Sequence, residues 1–475
     1  MAARSDEPAK RRASPQSLSA SAAGRRRASI SAKTSIAAER RAAGVMRAPR
    51  WRPPSFHRLF QRRSPAADAL KDWGLAHRFA GSSDRAAIAG LVYDALRRKA
   101  SAAWLIGEAT PRAVVLGMLH RERGYDVAQI AALCSGRFAP GPLTEAEQAA
   151  LERGSLAGAP PPVEGDYPEW LDPHLARVFG EERPAEGAAL ASRAPLDMRV
   201  NTLKGEREEV LPRLAHLHVE PARWSPVGLR IRLPADAKSP AIHAEPSFRK
   251  GAIEIQDEGS QLAALFAGAR PGEQVIDLAA GAGGKTLALS AMMENRGQIY
   301  ATDIDKRQLA PIHERIARAG ARNIQVRTPR GAADDVLADL RGRADLVLID
   351  APCTGTGTWR RSPDAKWRVR PGALAERLKQ QERLLDRAAA LVRAGGRIAY
   401  VTCSVLAEEN GDQVGAYLSR HPDLAVVPPR QVAAQALGER AALFLHAALV
   451  SAEGLLMTPL RTETDGFFVA VMRKA

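Results

Sequence analysis

Val275-Ile-Asp-Leu-Ala-Ala-Gly-Ala-Gly-Gly-Lys-Thr286 decides how this chain folds. Four residues of strand character, Val275 to Leu278, run straight into a glycine-rich turn, Asp277 to Thr286, that opens a helix. Small residues in such a turn let the backbone approach a ligand closely, and the first N–H groups of the helix are free to bind it. Two common nucleotide-binding spacings fail here. A phosphate-binding loop needs Gly-x-x-x-x-Gly-Lys-Ser/Thr, but with Gly284-Lys285-Thr286 in place Ala279 stands where the first glycine belongs. A dinucleotide fingerprint needs Gly-x-Gly-x-x-Gly, but after Gly281 and Gly283 the third position is Thr286. What persists is a second strand, Gln298-Ile-Tyr-Ala-Thr302, ending in Asp303, roughly 20 residues on, where a carboxylate can accept hydrogen bonds from ribose hydroxyls. Alone, Asp303 would read as a helix N-cap. Together with the turn it implies an adenosine ligand held without a phosphate cradle, which points to S-adenosylmethionine.

Working outward, further apolar runs alternate with helical segments: Asn323-Ile-Gln-Val326, Leu346-Val-Leu-Ile349, Arg397-Ile-Ala-Tyr-Val401 and Gly466-Phe-Phe-Val-Ala-Val-Met472. That alternation predicts an α/β, Rossmann-like domain over 251–475, with a mostly parallel sheet covered on both faces and ligands at the carboxyl ends of its strands. Residues 166–250 mix helical stretches with short alternating segments, Met198 to Leu203 and Leu229 to Leu233, and predict a small α+β domain. Residues 67–157 are helical in pattern; Ile88, Leu91, Val92, Ala95 and Leu96 share one apolar face. Between these two, 158–165 carries Pro160, Pro161 and Pro162 and reads as a linker.

The chain of 475 residues has a formal net charge of +16, which suggests a polyanionic partner, but most of that charge sits in one place. Residues 1–66 hold 16 Lys and Arg against Asp6, Glu7 and Glu39, so about +13 belongs to a Ser-, Ala-, Arg- and Pro-rich tail expected to be disordered. Its acid-poor composition also resembles a transit peptide, and Met46 is an alternative start. Three cysteines, Cys134, Cys353 and Cys403, lie far apart in no metal-like spacing, which argues against a disulfide framework or a metal site. No apolar run reaches the length of a membrane span, so a soluble, cytoplasmic monomer without membrane or metal is expected.

Two of the predicted strands end in a cysteine: Asp350-Ala-Pro-Cys353 and Thr402-Cys403-Ser404. In a parallel sheet both thiols would reach the ligand crevice although they are distant in sequence. A lone cysteine is usually a small buried hydrophobe, and Cys134 is read that way. Two in equivalent strand-end positions suggest chemistry, and either thiol could attack.

At this point a resemblance becomes specific. The turn from Asp277 to Thr286, Asp350-Ala-Pro-Cys353, Arg360-Arg-Ser-Pro-Asp-Ala-Lys-Trp367, Tyr400-Val-Thr-Cys403-Ser404 and Glu409-Asn410 resemble, in order, the motifs of the Sun (ribosomal RNA small-subunit methyltransferase B) family of RNA cytosine-5 methyltransferases. Arg199-Val-Asn-Thr202, Gln256-Asp-Glu-Gly-Ser-Gln261 and Asp465-Gly-Phe-Phe468 match too, so the resemblance spans roughly 166–475. The helical segment from Gly81 to Arg98 is similar to the family's extension related to the antitermination factor NusB.

The resemblance implies that Cys403 is the nucleophile, that Cys353 assists product release, that Asp350 hydrogen-bonds the cytosine edge and that Lys285 lies beside base and cofactor. Ala279, Ala280, Gly281, Ala282, Gly283, Gly284, Lys285, Asp303 and Asp350 are the expected cofactor contacts, and RNA, most simply ribosomal RNA, the expected substrate. Carbon 5 of cytosine is a weak nucleophile until a thiolate adds to carbon 6, which is why a cysteine is required. The base must also be held unstacked in a pocket.

Two departures stand out. The family's Cys-Ala-Ala-Pro-Gly-Gly-Lys is here Ala279-Ala-Gly-Ala-Gly-Gly-Lys285, and the acid expected after the third strand is replaced by Arg327-Thr-Pro-Arg330, leaving Asp334 as the candidate substitute. The basic, aromatic stretch Trp359 to Arg370 is expected to contact RNA. Rival readings are a non-catalytic RNA-binding or ribosome-assembly factor, a methyltransferase acting on an exocyclic amine, and a tRNA cytosine-5 methyltransferase. Retention of Lys285, Asp350, Cys353 and Cys403 weighs against the first, and a covalent cysteine adduct discriminates the second.

Overall fold

A computed structural model describes residues 65–136, 139–234, 239–331 and 334–475; the expected basic tail falls almost wholly outside them. Thirteen strands are found among these residues. The first four, β1 (Leu196–Val200), β2 (Glu220–Pro221), β3 (Gly228–Ile231) and β4 (Ile253–Ile255), make an antiparallel sheet in the order β2-β3-β1-β4. This sheet takes in Ile253–Ile255, beyond the expected limit at 250, because Val200 pairs with Ile253.

The large sheet comprises β5 (Gln274–Asp277), β6 (Gln298–Ala301), β7 (Ile324–Val326), β8 (Ala344–Asp350), β9 (Val392–Thr402), β10 (Leu424–Val426), β11 (Leu449–Val450), β12 (Leu455–Met457) and β13 (Phe467–Lys474). Its order is β11-β12-β13-β9-β8-β5-β6-β7, with β10 paired to β13. Strands β5 to β9 pair in parallel, whereas every pairing of β10 to β13 is antiparallel. The expectation of a mostly parallel sheet therefore holds for one half only. The reason is connection length: β11 and β12 are joined through four residues, enough for a hairpin and too few for a crossover helix.

Successive residues of β8 feed opposite faces, as the pleat requires. Val347 and Ile349 join a core with Leu385, Ala388 and Leu391 of the helix Pro371–Leu391, while Leu346 and Leu348 join one with Leu262, Phe266 and Leu289 on the other face. The chain runs from β5 outward to β7, then returns to the far side of β5 as β8. A crevice opens where the order reverses, between the carboxyl ends of β5 and β8.

The helices Asp172–Phe179 and Arg183–Ala191 were expected in the small domain, yet Leu175, Phe179 and Leu190 are buried in the core of the large sheet. Only β1 to β4 and their neighbours form a separate apolar cluster. The helices from Ala66 to Arg153 bury a core of their own, including Leu91, Val92, Ala95, Leu96 and Cys134. Residues 158–165 are no free linker. Pro161–Glu164 is a helical turn started by its prolines, Pro162 is buried, and the adjacent Asp166, fully buried, accepts from Ser101 N and Oγ at 2.9 and 2.7 Å.

The stretch Trp359 to Arg370, expected to contact RNA, is largely committed to internal contacts, although Arg361 and Arg370 remain exposed. Trp359 and Lys366 are fully buried and Arg360 nearly so. Lys366 Nζ donates to Arg97 O (2.9 Å) and Trp367 Nε1 to Leu96 O (2.7 Å), while Arg97 donates to Ser192 O and Arg360 O. Arg361 bridges Asp257 (2.8 Å) and Asp465 (2.5 Å), and Arg360 also pairs with Asp465. The segment is a polar clamp between the helical region and the catalytic domain. Among the described residues no helix is long and apolar enough to cross a membrane.

Candidate active site

The glycine turn is shaped by backbone that only glycine adopts comfortably. Gly283 has φ +85°, and a Cβ there would meet Ile312 at 2.5 Å. Ala280 N donates to Thr302 O, tying the turn to the end of β6, and Gly281 N donates to Asp303 Oδ2 at 2.9 Å. The other carboxylate oxygen of Asp303 accepts from Asp305 N at 2.8 Å, so this acid organises the turn and the loop beside it. The turn is braced from behind by Arg199 of the small domain, which donates to Gln256 Oε1 and to Gly284 O, and by Arg315 of the helix Ile312–Ala319, which donates to Ala282 O. Of the upstream motifs, the one around Arg199 thus acts on the turn's backbone directly.

Lys285 and Asp350 pair with each other, a contact the sequence reading did not foresee, with Nζ and Oδ2 2.8 Å apart, and Phe467 lies under the ammonium with its ring centre 4.9 Å away. Asp277, at the end of β5, accepts from Thr286 Oγ1 at 2.7 Å; burial pushes its carboxyl up to about 7 against that hydrogen bond. Turn, ion pair and loops border one cleft of about 1120 Å³. Its lining includes Ala279 to Ala282, Gly284 and Lys285 on one wall, with Asp303, Asp305, Asp334 and Asp335 nearby. Asp334 therefore stands at the cleft, as expected of a substitute for the absent third-strand acid. Arg327 is drawn away, paired to Asp339 and lying over the Tyr300 ring at 4.5 Å.

These residues fit S-adenosylmethionine better than a nucleotide phosphate. The one lysine of the turn is committed to Asp350, and the carboxylates of Asp303, Asp305 and Asp334 in the lining favour a cationic ligand over an anion at that end of the cleft.

Beyond Asp350 and Pro352, which line the cleft, lie the two thiols. Cys353 Sγ and Cys403 Sγ are 3.2 Å apart, brought together because β8 and β9 are parallel neighbours with Asp350 opposite Val401. Both loops are tightly held. Glu409, fully buried, accepts from Thr354 N (2.8 Å), Thr354 Oγ1 (2.5 Å) and Gln381 Nε2 (3.1 Å), and Gln381 also donates to Pro352 O. On the other strand Asn410 Nδ2 donates to Ser404 O and its carbonyl accepts from Thr402 Oγ1. Gly357 N donates to Cys403 O, and Gly357 touches Gly466 so closely that a Cβ would meet a backbone oxygen at 2.1 Å.

The hydrogen bond with Cys403, then burial and the nearby Glu409 carboxylate, hold the Cys353 thiol well above its ordinary range, so it stays protonated at neutral pH. Sequence reasoning placed Glu409 and Phe467 in motifs without a role and missed Gln381. Gln381 has no local signature, since it acts across the sheet.

Comparison with known proteins agrees with this geometry. Residues 264–473 match the family described as 16S rRNA methyltransferase RsmB/F, and 167–238 match its ferredoxin-like domain. The chain is 31% identical over 314 residues to ribosomal RNA small subunit methyltransferase B of Sodalis glossinidius, covering 65% of this chain and 66% of that one. It is 31% identical over 315 residues to a probable ribosomal RNA small subunit methyltransferase B of Synechocystis, covering 65% and 67%. The aligned stretch thus spans about two thirds of these relatives' length.

Among solved structures, a methyltransferase homolog protein from Pyrococcus horikoshii superposes with a TM-score of 0.54 at 25% identity, over 68% of this chain and 100% of that one. NSun6 from the same organism, with the S-adenosylmethionine analogue SFG, shares the fold at a TM-score of 0.54 and 21% identity, over 65% and 98%. S-adenosylmethionine is the cofactor of these enzymes, and the turn, the acidic residues and the paired lysine are suited to it. With the motifs in order, the cysteines side by side and both domains matched, the chain belongs to the RsmB/F (Sun) family of methyltransferases.

Proposed function

We propose that this protein methylates carbon 5 of a cytosine in ribosomal RNA, using Cys403 as a transient nucleophile and Cys353 as its helper. The observation that carries the reading is the 3.2 Å contact between the two thiols at the carboxyl ends of adjacent parallel strands, beside the cleft. A methyltransferase of amines needs no thiol there. The relatives' names support ribosomal RNA as the substrate.

When bound, S-adenosylmethionine supplies an electrophilic methyl group on a sulfonium. The glycine turn and Asp303 orient it, and Asp350, held by Lys285, accepts from the amino edge of the cytosine. The Cys403 thiolate would add to carbon 6, the π pair moving onto carbon 5, which would take the methyl as the S–CH3 bond breaks and its electron pair stays on sulfur, leaving S-adenosylhomocysteine. Loss of the carbon 5 proton to a base or water then restores the ring and expels Cys403 as a thiolate. Cys353, kept protonated, donates its hydrogen bond to that departing sulfur.

Bisulfite sequencing of RNA from cells with and without the protein tests the reading. A ribosomal cytosine that loses its protection when the protein is removed is the expected result; an unchanged 5-methylcytosine map overturns it.

A further inference from the structure

The cleft lining carries both signs of charge. Asp303, Asp305, Asp334 and Asp335 come from the loops after β6 and β7, while Arg377, Arg383 and Arg387 come from the helix Pro371–Leu391. With Gln380 and Leu384 these arginines fall within about a third of the helix circumference, so one face of one rigid element presents them. Arg387 is committed to Asp335 at 3.2 Å. Arg377 touches only the neutral Gln380 (2.7 Å), and Arg383 is exposed; among the described residues neither has an ion-pair partner.

S-adenosylmethionine carries a net positive charge, so uncompensated guanidinium groups facing the cleft disfavour it, whereas the acidic residues attract it. At about 1120 Å³ the cleft also exceeds what one drug-sized ligand fills. From this we infer that Arg377 and Arg383 form a phosphodiester subsite that grips the RNA backbone next to the target cytosine and aligns it over Asp350 and Pro352. Arginine suits the task, because its planar fork matches phosphate oxygens. The proposal deepens the RNA-methylation reading and rests on it for the identity of the anion.

The test uses the full chain, an unmodified 16S ribosomal RNA transcript and S-adenosylmethionine itself. Arg377→Gln and Arg383→Gln should each raise the Kd for the transcript about tenfold, the effect of one charge-assisted hydrogen bond. Each should also flatten the dependence of log Kd on log salt by about 0.7, the value for one single-strand phosphate contact. Arg383→Lys should keep the salt slope, since it keeps the charge. Affinity for S-adenosylmethionine, measured by calorimetry, should not fall, and this also reports on folding.

An unchanged salt slope in both Gln variants overturns the subsite. So does a loss of cofactor affinity without loss of RNA affinity, which would assign the arginines to the cofactor. The two readings fail separately: an altered slope in a protein that makes no 5-methylcytosine sinks the methylation reading alone, and methylation with an unaltered slope sinks the subsite alone.

Discussion

Two arginine-rich segments follow each other within thirty residues, and the fold uses them in opposite ways. In Arg360 to Arg368 the cations are tied to the fold, Arg360 and Lys366 buried and all four paired with Asp257, Asp364 and Asp465 or bonded to a backbone carbonyl of the helical region. In Arg377 to Arg387 they stand along a cleft, two of them without a counter-charge among the described residues. Composition does not distinguish the segments. What separates them is whether the surrounding fold supplies acids at fixed positions: where it does, the arginine is structural, and where it does not, the charge is left for a ligand. The cleft should therefore tolerate substitution with loss of chemistry, and the clamp should lose stability first.

The largest effect expected on the cleft side is from the cysteines. Cys403→Ala should form no covalent RNA complex and no 5-methylcytosine. Cys353→Ala should still attack and transfer but stall at elimination, leaving protein and RNA joined as a shifted band on a denaturing gel. S-adenosylmethionine affinity should be equal in both, since neither thiol lines the cofactor turn. A stable adduct from Cys403→Ala with none from Cys353→Ala would reverse their roles.

On the clamp side, Asp465→Ala removes a carboxylate shared by Arg360 and Arg361 and leaves the nearly buried guanidinium of Arg360 with Asp257, at 3.4 Å, as its remaining counter-charge. The cost should be about 3 to 5 kcal/mol, read as a shift of the denaturation midpoint. A shift no larger than that of a surface substitution would show that the clamp does not hold the domains.

Smaller again, Asp303→Ala should weaken S-adenosylmethionine binding by about 1 to 3 kcal/mol, from lost ribose hydrogen bonds and from the freed Gly281 N–H. Calorimetry showing full affinity would remove Asp303 from the site.

The finest test is of pH. Burial pushes the Lys366 ammonium down to about 7, below its unfolded value of 10.5. Below pH 7 both states hold the proton and the native state bears the cost of a buried charge. Between pH 7 and 10.5 the unfolded chain holds more protons, so rising pH stabilises the native state. Relative to Lys366→Met, the wild type should gain stability as pH rises from 7 to 10. A constant difference would mean that Lys366 stays charged throughout.

How far the residues could be read in advance divides along the same line. The strand at Val275, the turn after it, Asp303 and the cysteines were legible because each signal is local: a run of apolar residues, a glycine spacing, a strand end. The antiparallel half of the sheet was not, since β10, β11 and β12 have three, two and three residues, too short for any period to show. Glu409 was legible as a motif but not as the carboxylate that fixes the Cys353 loop, because its partners Thr354 and Gln381 come from another strand end and another helix.

By itself the sequence determined the kind of chemistry. A glycine turn that lacks the first glycine of a phosphate loop, and two strand-end thiols, are covalent facts about side chains and spacing. Only the tertiary structure decided which groups act together. The parallel pairing of β8 and β9 put the thiols 3.2 Å apart, and the docking of the helical region turned Lys366 from a surface cation into a buried one. Contact and burial depend on what packs opposite a residue, and that is set by segments tens to hundreds of positions away.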